Sequence, residues 1–387
     1  MAFTDTSAIS GLVQTAYDRY VEFALRSQPM IRAVADKKPV QQAMPGSSVV
    51  FSLYNDLSAA TSTLTETTDP TAVALSDVDT VSVTLAEYGN AALVTRKLQL
   101  FSLSDVDPAV ADIIAYNLAD SLDIVAQDVL RQGTNVIYGG TRTSTATVTA
   151  SDTIDSADLR KVVAKLRSNK AVPRAGSLYW TGIHPEVSHD LRAETGSVGW
   201  RDTHAYTDAS LGNLFAGTIG TYEGAFFVEN PRMFSAKSGA DQTDLATASA
   251  VSGVSGEFTI VAANAAFGGK AEVGDKIAGT GVGASAKITA ISVGATNTTF
   301  TVDVANSGTV GTNTLTVTPV TRVFRTLLCG KQALAEAVSQ EPGVVIGPVT
   351  DKLMRFRPIG WYGVLGWNRY REEALYRIET GSSIAAL

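Results

Sequence analysis

The feature that most constrains this chain is one long apolar stripe within residues 107–131. Val110, Ile113, Ile114, Leu118, Leu122, Val125 and Val129 recur at the three- and four-residue spacing of a single helix face. Asp107 can cap it, Pro108 sits where the first turn needs no N–H donor, and Gly133 supplies the stop. At 1.5 Å per residue such a helix runs about 35 to 40 Å, longer than a small domain is wide. It reads as a spine, and a chain of 387 residues has to gather more than one core around it.

Upstream of the spine the pattern changes twice. Residues 5–37 predict a loosely started amphipathic helix on Ile9, Leu12, Val13, Tyr17, Tyr20, Val21 and Ala24, interrupted by Pro29 and Pro39. It is either an ordinary first helix on its own core or an arm draped over a neighbour. Ser-Val-Val-Phe-Ser-Leu-Tyr after Ser47 and the alternation from Val78 to Leu85 then predict two strands joined by a polar tip of about 20 residues, a length that is usually functional or disordered. Between Pro39 and Thr95 there is no Lys or Arg, while Asp56, Glu66, Asp69, Asp77, Asp79 and Glu87 are acidic. This is either a solvated acidic loop or a projecting arm seeking a basic surface on another copy.

Downstream, Leu159, Val162, Val163 and Leu166 mark a second helix opening at Ser156, and Ser177-Leu-Tyr-Trp-Thr-Gly-Ile marks a central strand. His184-Pro-Glu begins a short helix with Pro185 at its first position, and Gly224-Ala-Phe-Phe-Val-Glu is another strand. Helices and strands mixed in this way predict an α+β domain. From Met233 to Thr321 no Arg occurs, and strand-like runs rich in Thr, Ala, Val and Gly recur, which predicts a small all-β sandwich or barrel inserted into that domain. The closing segment is basic instead: Lys352, Arg355, Arg357, Arg369 and Arg371 precede Glu372 with no acid among them.

Little in the sequence supports chemistry. Gly279-Thr-Gly-Val-Gly-Ala leads into a strand-like run rather than a helix that could hold a pyrophosphate, so no cofactor is expected. Gly330-Lys331 lacks the rest of a phosphate loop, and no G-x-S-x-G elbow occurs. His184, Glu186 and His189 are spaced by two and five residues, which does not stack ligands on one helix face, so no metal is expected. The single cysteine, Cys329, ends an apolar strand and reads as a buried thiol, and it fits a reducing cytoplasm. No signal peptide or long apolar run appears, so no membrane contact is expected. Charged residues form only 18% of the chain, below the usual ~25%, which hints that other chains cover part of the surface.

The order of parts resembles the Johnson-fold major capsid proteins of tailed phages. Ile183-His-Pro-Glu, Asp190-Leu-Arg, Trp200, Gly217-Thr-Ile-Gly-Thr-Tyr-Glu-Gly, Leu328-Cys-Gly-Lys-Gln-Ala and Asp351-Lys-Leu-Met-Arg-Phe are similar to signature runs of the N-four-like subfamily. The resemblance implies a structural protein with no catalytic residues, found in the virion after assembly in the host bacterial cytoplasm. The alternative is a tail-tube or decoration protein. It further implies an N-terminal arm (1–46), an extended hairpin loop (47–88), a peripheral domain (89–155) with the spine, an axial domain (156–234 and 321–340) interrupted by the β insertion (235–320), and peripheral closing strands (341–387).

In that family the hairpin lies over an adjacent subunit, and subunits form hexamers and pentamers of a closed icosahedral shell around double-stranded DNA without sequence-specific binding. The implied partners are a portal, a separate scaffolding protein or none, and a cement protein or none. The hairpin has no lysine for a covalent weld. The expected inter-subunit contacts are therefore ionic, with Asp56, Glu66 and Asp69 facing Arg355, Arg357 and Arg369 of a neighbour.

Overall fold

The computed structural model describes residues 30–39, 48–53, 79–101, 106–194, 218–233, 235–242, 246–248, 251–263, 271–311, 315–348, 353 and 355–384, with scattered positions between 57 and 69. Two compact units emerge: the described residues up to Ala126 with Ala335–Asn368, and Gln127–Leu334 with the described residues from Arg369 onward.

In the first unit a 3-10 turn, Ile31–Val34, leads into β1 (Asp36–Pro39). The helix expected through residue 37 is thus replaced at its described end by a turn and a strand, because β1 pairs in parallel with a strand some 300 residues later, Asp36 opposite Ala335. That pairing is invisible to local periodicity. The expected helix before residue 30 lies outside the described residues.

β2 (Ser48–Leu53) and β3 (Asp79–Thr84) form the anticipated antiparallel hairpin, with Val49 opposite Val83. Phe51 and Val83 are buried while Val50 is exposed, the period-two signature of a half-covered strand. β4 (Ala86–Thr95) and the short helix α1 (Arg96–Phe101) precede the spine, α2 (Val106–Arg131). Ile114, Leu122, Ala126 and Leu130 are its buried apolar line, one every four or eight residues, whereas Ile113, expected in the stripe, is exposed. The division between units falls after Ala126, inside this helix.

The second unit is built on β5 (Val136–Tyr138), α3 (Ser156–Ser168), β6 (Tyr179–Ile183), α4 (Pro185–Ala193), β7 (Thr218–Tyr222), β8 (Ala225–Glu229) and β9 (Ser235–Asp241). Asp155 caps α3 by accepting from Asp158 N at 2.7 Å. His184 caps α4, its Nδ1 accepting from Glu186 N at 3.3 Å.

Between Ala246 and Thr318 come β10 (Ala246–Ala248), β11 (Val251–Ser252), β12 (Thr259–Ala263), β13 (Lys276–Ala278), β14 (Ile288–Val293), β15 (Asn297–Val302) and β16 (Leu315–Thr318). They form two small sheets, β10-β16-β13 and β11-β12-β15-β14, around a core of their own that includes Ile260, Ile277, Ile288, Phe300 and Val317. The flanking strands β9 and β17 (Val320–Cys329) pair with each other, so the chain leaves and returns side by side. Lys237 of β9 reaches Asp275 at 2.6 Å and Glu272 at 2.8 Å, and Arg322 of β17 reaches Glu272 at 2.7 Å.

β18 (Leu334–Ile346), β19 (Phe356–Arg369) and β20 (Leu375–Thr380) close the chain. The four-stranded sheet of the first unit runs β1-β18-β19-β4; the large sheet of the second runs β5-β20-β17-β6-β8-β7, with β9 also on β17. β17 is buried along most of its length, as a strand covered on both faces should be. Leu159, Val162, Val163 and Leu166 of α3 and Val187 and Leu191 of α4 bury against Tyr179, Phe227, Phe324 and Leu328. The units divide the chain differently from the expected bounds. Residues 127–155 and 369–387, assigned above to the peripheral part, fall in the second unit, where β5 and β20 bond to the β17 sheet, and residues 335–340, assigned to the axial part, fall in the first, where β18 bonds to β1.

Candidate assembly surfaces

The first unit carries an unusual share of uncovered apolar side chains. Leu98, Leu100 and Phe101 all project from α1, with Phe101 79% exposed. Val344, Val345 and Ile346 follow one another at the outer end of β18 and are exposed on both sides of the strand. Leu93 on the edge strand β4, Leu64 in the hairpin tip and Leu353 are each exposed by more than 60%. Two apolar residues of the spine, Ile113 and Ile124, join them. Scattered exposed leucines are normal, but runs of this kind on strand edges and a short helix mark contact surfaces.

A groove of about 620 Å³ lies over β4, β18 and β19, lined by Gly89, Gly347, Gly360, Val345, Trp361 and Tyr362 among others. The glycines are forced by the pairing of β4 with β19: a Cβ on Gly360 would stand 2.7 Å from Asn90 O, and one on Gly89 2.8 Å from Trp361 O. Trp361 is fixed by donating from Nε1 to Asn117 Oδ1 at 2.9 Å. At the base of the hairpin Asn368 donates to Ser82 O at 2.8 Å, and a side chain on Gly366 would overlap the Thr84 carbonyl.

The start of the described chain is locked to its own unit. Ile31 N and Arg32 N donate to Asp123 Oδ1 of the spine at 2.6 and 3.2 Å, and Arg32 pairs with the buried Glu336 at 2.7 Å. Burial raises the Asp123 pKa, partly offset by those backbone donors.

The predicted ionic residues are not equivalent. Glu66 and Asp69 are exposed, Asp56 lies outside the described residues, and Arg355 and Arg357 are exposed where β19 begins. Arg369 is 27% exposed, pairs with Glu372 of its own chain at 2.8 Å and donates to Val129 O at 3.3 Å. The acid that ends the basic run in sequence is its partner.

The groups considered for chemistry are committed to structure. Cys329 is fully buried and its thiol is pushed up to about 12 by desolvation. The His184 ring lies 4.8 Å from the Phe324 ring, and burial lowers its pKa. Among the described residues no group of three His, Cys, Asp or Glu is arranged to hold a metal ion. Val282, between two glycines of the 279–284 run, and Ala286, just after it, bury in the β core ahead of β14. Asp190 accepts from Ser383 N at 2.9 Å, so the His-Pro-Glu and Asp-Leu-Arg runs cap a helix and secure the closing segment. Among the described residues no helix is long and apolar enough to cross a membrane.

The sequence profile of the family described as phage capsid protein matches residues 12–383. The chain belongs to that family. It is a major capsid protein that forms the shell of a phage head. The alternative of a tail-tube or decoration protein is not favoured, since the capsid profile runs through both units.

Solved structures agree on the fold. The capsid of cyanophage Pam1 is similar at 12% identity and a TM-score of 0.63, over 98% of this chain and 100% of that one. The capsid of Ralstonia phage GP4 is similar at 13% identity and 0.61, over 96% of each. That of Helicobacter pylori bacteriophage KHP30 is similar at 12% identity and 0.57, over 98% and 99%. No match was found among curated proteins.

Proposed function

We propose that this phage capsid protein closes into an icosahedral head of hexamers and pentamers around double-stranded DNA, using its first unit as the main contact between copies. The run of exposed apolar side chains on α1, the outer β18 and the hairpin carries this reading. Fully burying one such side chain is worth roughly 1.5 to 3 kcal/mol, whereas an exposed ion pair contributes about 0 to 1 kcal/mol. Apolar contacts therefore supply most of the strength. Pairing of Asp56, Glu66 and Asp69 with Arg355 and Arg357 of a neighbour would set register, and Arg369 would brace its own subunit. Many weak contacts per subunit then act together while each stays reversible.

In Johnson-fold terms the first unit is the peripheral domain with hairpin and most of the spine, the second the axial domain, and the strands between Ala246 and Thr318 an inserted β domain that begins after β9 rather than at residue 235. The reading needs no catalytic step and no cofactor, and DNA is enclosed without sequence readout. Assembly in the host cytoplasm with a portal, a separate scaffolding protein or none, and a cement protein or none completes it. The test is expression of the chain with its phage neighbours followed by electron microscopy. Closed shells with pentameric and hexameric capsomers are expected; a stable monomer, or open tubes alone, would overturn the reading.

A further inference from the structure

The second unit holds a small cavity of about 120 Å³ where three connections meet. They are the segment after α3 (169–172), the turn between β17 and β18 (331–332) and the segment before β20 (371–374). Each brings a cation, namely Lys170, Lys331 and Arg371, and the cavity holds one acid, Glu373. Among the described residues none of the three cations is ion-paired. In a chain of net charge -7 this is a locally positive pocket.

The pocket is built rather than incidental. Lys331 N donates to Val172 O at 2.8 Å, Gly330 N to Ala374 O at 2.9 Å, and Arg371 N to Gln332 O at 2.9 Å, so the backbone fixes all three segments to one another. Gly330 permits this closeness, since a Cβ there would stand 2.9 Å from Val172 O. Lys170 and Gln332 are both held in the left-handed region, with φ of 57° and 62°. At Lys170 this is the left-handed residue that closes α3, with Ala171 N donating to Leu166 O at 2.9 Å, and at Gln332 it is the turn between β17 and β18, so both residues are set in place by the chain's own turns. A rigid cavity lined by two ammonium groups and one guanidinium suits a compact oxyanion with several acceptor oxygens.

We infer that this pocket binds a phosphate group. The inference rests on the capsid reading for its natural source, the backbone of packaged DNA; a free polyphosphate would offer the same chemistry. Phosphate contacts of this kind carry no sequence information, as a DNA container requires.

The test is the reactivity of Lys170 and Lys331 toward a small acylating reagent, read by mass spectrometry on three preparations: filled heads, the same heads emptied by rupture and nuclease, and emptied heads with inorganic tripolyphosphate. The expected result is protection of both lysines by about threefold or more in filled heads, lost on emptying and restored by tripolyphosphate, with Lys287 unchanged in all three. R371A heads should show that protection reduced. Protection by tripolyphosphate without protection by DNA would assign the site to a free polyanion. Equal protection in filled and emptied heads would mean that protein covers the pocket, and equal reactivity in all three that nothing binds; either overturns the inference. If no heads form at all, the capsid reading fails instead.

Discussion

The two units solve the problem of apolar surface differently. In the second, α3 and α4 cover the large sheet, and the strands between Ala246 and Thr318 close around a core of their own. In the first, the hairpin, α1 and the outer β18 leave large side chains uncovered, although Ile31, Phe51, Val83 and Trp361 show that the same unit can bury residues well. The contrast is what the proposed contact role of the first unit rests on; the second unit leaves fewer large apolar side chains exposed, Val254, Phe258 and Val293 among them.

The comparison can be broken most sharply at α1. L100D/F101D should abolish shells in electron microscopy while leaving the thermal melt of the subunit close to wild type; intact shells would remove the first unit from the interface. Next in size is L159A in the core of the second unit. It should cost about 2 to 5 kcal/mol in denaturant unfolding and still allow shells at permissive temperature.

Asp123 comes third. D123A leaves the Ile31 N–H without its acceptor and should cost roughly 1 to 3 kcal/mol, whereas D123N keeps an oxygen there and should cost less. The pH dependence has a definite sign. Because burial raises the folded pKa of Asp123 above the ordinary 3.8, the stability it adds is complete below that value and is lost as pH rises through the folded pKa. D123N should therefore gain on wild type in urea unfolding as pH goes from 4 to 7; a constant difference would contradict the burial argument.

Smaller still, R355E/R357E should leave shells intact and lower the salt concentration at which they dissociate, as expected of exposed pairs worth about 0 to 1 kcal/mol each. V293D, on an exposed strand of the β unit, should change neither assembly nor stability by more than about 0.5 kcal/mol.

Much of this was legible in the sequence wherever the cause was local. The spine, α3, α4, the hairpin and the small β strands follow from periodicity, proline placement and turn residues near them in the chain, whereas the caps differ in detail: Asp155 rather than Ser156 caps α3, and α2 begins at Val106, before the expected cap Asp107. What depends on distant partners was not. Ile113 and Ile114 are both apolar members of the stripe, and the packing of the unit decides which of the two is buried and which exposed. Nothing in the local pattern marks Asp123, whose role depends on Ile31, 92 residues away, donating to it. The place of β20 is decided by hydrogen bonds to β17, which no local pattern announces. Of the expected ionic contacts, charge clustering singled out Arg355 and Arg357 together with Arg369, yet only geometry separates the last by its bond to Glu372.

The most direct measurement is amide hydrogen exchange on the free subunit and on the assembled shell. The account predicts that assembly slows exchange at least tenfold in α1, β4 and the outer half of β18 and leaves β14 and β15 unchanged. Protection falling on β14 and β15 instead, with α1 as fast in the shell as in solution, would contradict it.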